Sequence, residues 1–315
     1  MGEAIISRRG GGMLKITGQD TVAVLFGEDI TKGSPVVVKI DFEPTKLADP
    51  STLPTGAGYG CAFDPTGTYL AVAHGSSPRI TIYKRSGDTF IKLANPSTLP
   101  TGISNGCAFD PTGTYLAVVH ESSPYITIYK RSGDTFTKLA NPSTLPTGIG
   151  EGCVFDPTGT YLAVAHYNSP YITIYKRSGD TFTKLADPST LPPYTGYGCT
   201  FDPTGKYLAV AHDLSPYITI YKRNGDTFTK LADPASRPFG IGNGCAFDPT
   251  GTYLAVAHHN SPYITIYKGF SRTFFKTGNS LLDIQADDVI AAGYAKEEGL
   301  TGETKEIVII WRLEG

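Results

Sequence analysis

Three residue types able to do chemistry recur in step along this chain. Histidines stand at His74, His120, His166, His212 and His258, and cysteines at Cys61, Cys107, Cys153, Cys199 and Cys245. Aspartates stand at Asp64, Asp110, Asp156, Asp202 and Asp248, so that all three series share one interval of 46 residues. Imidazole, thiolate and carboxylate are the usual zinc ligands and proton-transfer groups. Their spacing argues against both uses. Ligation at about 2.0–2.3 Å requires side chains to converge on one ion, and these copies belong to different structural units. Acid–base catalysis needs carboxylates in unlike environments, whereas identical copies receive identical ones. The expected roles are structural. Each histidine ends a strand as a polar lock, each aspartate caps the turn before a proline, and each cysteine is a small buried hydrophobe. A disulfide needs Cα atoms within about 7 Å, while packed sheets lie ~10 Å apart. No Gly-x-Ser-x-Gly, His-Glu-x-x-His or phosphate loop occurs. No metal, cofactor or catalytic residue is expected, and the chain reads as a non-enzyme.

The elements that must position these residues repeat with them. A period in the 40s denotes a solenoid, propeller or array. In the second copy the strand-sized pieces are 106–110, 115–120, 125–131 and 135–139, called a, b, c and d. Asp110-Pro111-Thr112-Gly113 and Ser132-Gly133-Asp134 are hairpin-turn sequences. The d–a link, Asn141-Pro142-Ser143-Thr144-Leu145-Pro146, favours an extended excursion. Strand b is apolar on both faces, with Leu116 and Val118 opposite Ala117 and Val119. A sheet of that kind must be covered from both sides, which neighbouring blades of a propeller do. The fold class is therefore all-β, a five-bladed β-propeller over residues 42–279, with six blades as the alternative.

The run Phe-Asp-Pro-Thr-Gly-Thr-Tyr-Leu-Ala-Val-Ala-His, followed by Ile-Thr-Ile-Tyr, resembles the a–b–c core of WD-repeat-like propeller blades over residues 57–276. It departs at the dipeptide that names that family, since Tyr83-Lys84 and its copies replace Trp-Asp. In layout, though not in motif, the five near-identical units are similar to five-bladed tachylectin-type lectins. Thr45-Lys46-Leu47-Ala48-Asp49-Pro50 copies strand d and the link after it, ahead of the first full unit. It is expected to close the last blade across the seam, where Gly269-Phe270-Ser271-Arg272 replaces the regular c–d turn and Phe274-Phe275-Lys276 is a further d-like piece.

Residues 1–41 and 280–315 are expected to form one small β-module. Strands are expected at 5–6, 22–26, 35–40, 287–295 and 306–312, and a short helix at 280–286. Gly27-Glu28-Asp29-Ile30-Thr31-Lys32-Gly33-Ser34-Pro35-Val36, Ala291-Ala292-Gly293-Tyr294-Ala295-Lys296-Glu297-Glu298-Gly299 with Gly302-Glu303, and Gly2-Glu3-Ala4-Ile5-Ile6-Ser7-Arg8-Arg9-Gly10-Gly11 resemble modules of tailed-phage virion proteins, including decoration and tail components. That resemblance implies a virion or extracellular surface location, with the module contacting particle or filament subunits. Net charge is only −2 and Lys and Arg are spread evenly, so no nucleic-acid partner is expected. No apolar run approaches the ~18 residues of a membrane span, and no h-region follows Arg8-Arg9, so no cleaved leader is expected.

The informative signal lies where the copies differ. One position in the d–a link reads Tyr59, Asn105, Glu151, Tyr197, Asn243. In the b–c link one reads Gly75, Glu121, Tyr167, Asp213, His259, and the next Ser76, Ser122, Asn168, Leu214, Asn260. In an antiparallel four-stranded blade these two links emerge at the same end. Variation then gathers on one rim, in residue types used by adaptable binding surfaces. The candidate ligand-binding residues are Tyr59, Asn105, Glu151, Tyr197, Asn243, Glu121, Tyr167, Asn168, Asp213, His259 and Asn260. The expected partner is a cell-surface glycan or protein, bound multivalently. The alternatives are a structural decoration or filament subunit whose loops touch neighbours, and a propeller hydrolase or lactonase.

Overall fold

The computed structural model describes residues 46–269 in full, and outside them only the strand pairings of 4–7, 13–16, 273–277, 280–284, 291–297 and 305–311. The chain divides into two compact units, Met1–Ala48 and Asp49–Gly315. In the first unit, β1 (Ala4–Ser7) pairs antiparallel with β2 (Met13–Ile16), which places Ile5 and Ile6 in a strand as expected. The strands expected at 22–26 and 35–40 lie outside the described residues, as does most of the expected terminal module.

The second unit holds five consecutive blades. Blade 1 comprises β3 (Gly58–Phe63), β4 (Tyr69–His74), β5 (Ile80–Ser86) and β6 (Thr89–Lys92). Blade 2 comprises β7 (Ser104–Phe109), β8 (Tyr115–His120), β9 (Ile126–Ser132) and β10 (Thr135–Lys138). Blade 3 comprises β11 (Gly150–Phe155), β12 (Tyr161–His166), β13 (Ile172–Ser178) and β14 (Thr181–Lys184). Blade 4 comprises β15 (Gly196–Phe201), β16 (Tyr207–His212), β17 (Ile218–Asn224) and β18 (Thr227–Lys230). Blade 5 is a three-stranded sheet of β19 (Gly242–Phe247), β20 (Tyr253–His258) and β21 (Ile264–Lys268). The chain is an all-β, five-bladed propeller.

The turns explain the blades. Gly67, Gly113, Gly159, Gly205 and Gly251 hold φ of 66–69° in the a–b turns, and Gly87, Gly133, Gly179 and Gly225 hold φ of 57–58° in the c–d turns. At the second of these places repeat five carries Ser271, a residue with a Cβ penalty in that conformation. Among the described residues blade 5 has three strands. The d-like Phe274-Phe275-Lys276 lies in β22 (Thr273–Thr277), but its partner is β23 (Ser280–Ile284), not β21. The helix expected at 280–286 is thus replaced by a strand. Only Gly278-Asn279 separates the paired Thr277 and Ser280, and a two-residue Gly-Asn link favours a hairpin over a helix. Lys46–Pro50, expected to close the seam, forms no strand. Farther on, β24 (Ala291–Glu297) and β25 (Lys305–Trp311) pair antiparallel, which bears out strands in both places.

The core sits between blades. One face of a blade packs on the opposite face of the next. Tyr161, Ala163, Ala165, Ile172 and Ile174 of blade 3 meet Phe201, Leu208, Val210, Tyr221 and Phe228 of blade 4, with Cys199 packed against them. Blades 1–2, 2–3 and 4–5 repeat the pattern. Strand b of blades 2 to 4 is buried along its whole length, as its two-sided apolarity requires. The outward faces at the two ends of the series are bare. Phe63 of blade 1 is 53% exposed where its copy Phe155 is 7% exposed, and Ile266 of blade 5 is 63% exposed where Ile174 is 3% exposed.

Candidate functional site

The equivalent residues of all five blades converge at two cavities. One is lined by Phe63, Phe109, Phe155, Phe201 and Phe247, with Pro65 and the Asp-Pro pairs that follow the other four, and measures about 320 Å³. The other is lined by Tyr59, Asn105, Glu151, Tyr197 and Asn243, with Glu121, Tyr167 and Ile149, and measures about 450 Å³. The first is invariant between repeats and the second is variable.

At the invariant mouth the aspartates serve the backbone. Asp110 accepts hydrogen bonds from Tyr115 N (Oδ1, 2.7 Å) and from the Thr112 hydroxyl (Oδ2, 2.6 Å), and the other four copies do likewise. Burial alone would raise the Asp64 pKa, but the bonds from Thr66 and Tyr69 outweigh it and the carboxyl is held down. Beyond the turns blade 1 is latched to blade 2, blade 2 to blade 3 and blade 3 to blade 4. Tyr115 Oη donates to Asp180 Oδ1 at 2.6 Å, Lys130 Nζ lies 2.8 Å from Asp180 Oδ2, and the Arg177 guanidinium stacks 4.7 Å over the Tyr115 ring. Sequence reading missed this latch. The fixed recurrence of Tyr, Lys, Arg and Asp in the first four repeats was the available signal.

The histidines are polar locks. His74, His120, His166, His212 and His258 each set Nε2 2.9–3.0 Å from a threonine hydroxyl on strand c. His120 Nδ1 lies 2.8 Å from the Ser122 carbonyl. That carbonyl can only accept, so Nδ1 carries the proton and the Thr127 hydroxyl donates to Nε2. Burial pushes His120, His166 and His212 down to about 4. The cysteines are free thiols. Burial pushes Cys107 and Cys199 up to about 12. Cys61, on the bare face of blade 1, is the exposed one. Among the described residues no group of three or more His, Cys, Asp or Glu is placed to hold a metal ion.

At the variable mouth a β-bulge aims the side chains. Gly58 pairs with His74 and Gly60 with Ala73, so Tyr59 is the odd residue between two register steps. Asn105, Glu151, Tyr197 and Asn243 occupy the same place in their blades. The varying position therefore lies inside the innermost strand, not in the link where sequence reading put it. A bulge residue has no cross-strand partner and is re-aimed by the local kink, here into the cavity. The glycine after it lets inner strands touch: a Cβ on Gly152 would lie 2.7 Å from the Tyr197 carbonyl oxygen, and one on Gly198 3.0 Å from Gly244 Cα. At the end of the series a Cβ on Gly244 would meet nothing within 4 Å.

The two varying links do share one end of the blade. Gly75 N donates to the Ala57 carbonyl at 3.0 Å, and the Tyr59 ring covers Gly75. Of the b–c residues, Glu121 and Tyr167 reach the cavity. Asp213 acts on the Tyr197 hydroxyl from beside it, and His259 is exposed outside the cavity lining. Asn168 and Asn260 turn away. The Asn168 amide donates to the Thr147 carbonyl at 3.1 Å, and a Cβ on Gly148 or Gly240 would meet the amide of Asn168 or Asn260 at 2.9 or 2.7 Å. They tie loops together. Two lining or flanking residues were overlooked. Ile149 stands two before Glu151, where strand alternation returns it to the same face. Tyr194 replaces the glycine of other repeats and stacks on Tyr171 at 5.7 Å.

The charges here have one sign. Burial, then Glu121, pushes the Glu151 pKa up. Burial, then Asp213 and Glu151, pushes Tyr197 up. Among the described residues neither Glu121 nor Glu151 has an ion pair, and no Lys or Arg lines the cavity.

Solved structures similar to this chain include propellers. A Bacteroides uniformis protein carrying the name 6-phosphogluconolactonase superposes with a TM-score of 0.54 at 16% identity, over 85% of this chain and 88% of that one. Sqt1 of Chaetomium thermophilum gives 0.53 at 18% identity, over 68% of this chain and 56% of that one. The β-propeller domain of Cps50 (Swd1) from Myceliophteria thermophila gives 0.53 at 14% identity, over 69% and 72%. These likenesses establish the fold alone. No protein-family model and no curated protein matches the chain, and the resemblance of its terminal segments to phage modules finds no support in these comparisons.

Proposed function

We propose that this propeller is a non-enzymatic binding module that recognises a cell-surface glycan or protein through its variable mouth. The observation that supports it is the contrast between the two cavities. The Asp-Pro-Thr-Gly turn repeats unchanged because its carboxylate serves the backbone, whereas the bulge position varies among Tyr, Asn and Glu and no turn requires it to. Exposed tyrosines supply broad faces at low entropic cost, and Asn and Glu supply polar contacts. The proposal includes presentation on a virion or extracellular surface, with the terminal segments as the attachment. Against a lactonase-type activity, the carboxylates nearest the axis at the invariant mouth are engaged by their own turns. Screening the folded protein on glycan and surface-protein arrays tests the reading. Binding that is lost in a Tyr59→Ala, Tyr167→Ala, Tyr197→Ala triple variant is expected; binding unchanged in that variant rejects the site.

A further inference from the structure

We infer that the variable mouth recognises a compact organic cation, an alkylammonium group, through its tyrosine walls and the carboxylates of Glu151 and Glu121. The inference rests on the binding reading above and names the chemistry of that site.

Three observations carry it. First, Tyr59 and Tyr167 are exposed at 57% and 48% although they line a concavity, and Tyr197 stands on the same wall. Aromatic faces without a packing partner attract cations through the ring quadrupole, by roughly 0.5–2 kcal/mol each. Second, Glu151 is half-buried in the cavity with no Lys or Arg in the lining among the described residues. A carboxylate withdrawn from water and left unpaired is unfavourable, and a positively charged ligand removes that cost. Third, the neighbours deepen the negative field: Glu121 acts on Glu151, and Asp213 acts on Tyr197.

The same residues disfavour other ligands. A metal ion needs converging donors, and no set of three is formed among the described residues. An anion would face two carboxylates with no Lys or Arg to receive it. A neutral sugar could stack on the tyrosines, but it would leave Glu151 uncompensated, and the Asn105 amide is already donated to the Gly150 carbonyl. A weakly hydrated ammonium group satisfies both the aromatic walls and the charge. It could be presented as a choline head group, a lysine side chain or an amino sugar.

Calorimetric titration of the full chain separates these sources. The probes are choline, n-butylammonium and methyl glucosaminide, with their neutral counterparts 3,3-dimethylbutanol, 1-butanol and methyl glucoside. At least one cation should bind ten-fold or more tightly than its neutral counterpart, and the one that does identifies the source. Glu151→Gln should reduce that affinity at least ten-fold, while Asn168→Ala, outside the cavity, should not. The thermal midpoint of each variant reports whether it is folded. Equal binding of cation and neutral counterpart overturns the inference, as does an unchanged affinity in folded Glu151→Gln. If neutral glycans bind on the array and no cation does, this inference fails and the binding reading stands. If neither binds, both fail.

Discussion

The two mouths of the propeller are built from the same strands and do opposite work. At one, Phe, Asp and Pro recur five times because each carboxylate is saturated by its own turn. At the other, the five bulge residues read Tyr, Asn, Glu, Tyr and Asn because no turn depends on them, although the Asn105 amide donates to the Gly150 carbonyl. Invariance in a repeat protein thus marks internal hydrogen bonding, and variation marks side chains released from it. The contrast predicts that changes in the repeated framework cost stability, whereas changes at the variable mouth cost only recognition.

Acid should break the framework most severely. The folded pKa values of His120, His166 and His212 are about 4, below the ordinary value near 6.5. Between these values the unfolded chain binds more protons than the folded one. Stability is therefore fully present above about pH 6.5 and is lost as pH falls toward about 4, by up to roughly 3 kcal/mol per histidine. Denaturant titrations across that window, with His166→Asn reducing the proton uptake by one, measure it.

Core truncation comes next. Leu162→Ala removes a side chain covered on both sides and should cost about 2–5 kcal/mol in urea unfolding. Its copy Leu70, only half-buried on the bare face of blade 1, should cost less than half as much. Equal costs would mean that this face is covered in solution. Gly152→Ala drives a Cβ to 2.7 Å from a carbonyl oxygen and should cost about 1–3 kcal/mol.

At the other extreme, Tyr59→Ala should shift stability by less than about 0.5 kcal/mol. A thiol reagent should modify one cysteine rapidly in the native protein, Cys61, and the four others only on unfolding, as intact-mass measurement would show. Five protected thiols would again show the face to be covered.

Much of this could be read from residue order. Four strands per unit, the hairpin turns, the capping aspartates, the locking histidines and the unpaired cysteines follow from local chemistry repeated five times. Blade 5 could not be completed that way. Its third strand, β21, has no fourth-strand partner among the described residues, and the d-like piece pairs with β23 instead. The latch was equally hidden, since Tyr115 and Asp180 lie in different repeats and only blade packing brings them to 2.6 Å.

The sequence by itself determined the blade, because period, two-sided apolar strands and turn residues are all local and all agree. Which side chains share the axis was decided by the tertiary structure. A single unpaired residue in each inner strand reverses the direction of everything at that position, and whether Asn168 faces a ligand or a neighbouring loop depends on a carbonyl 21 residues away. Such choices arise from contacts between distant parts of the chain, which no local pattern encodes.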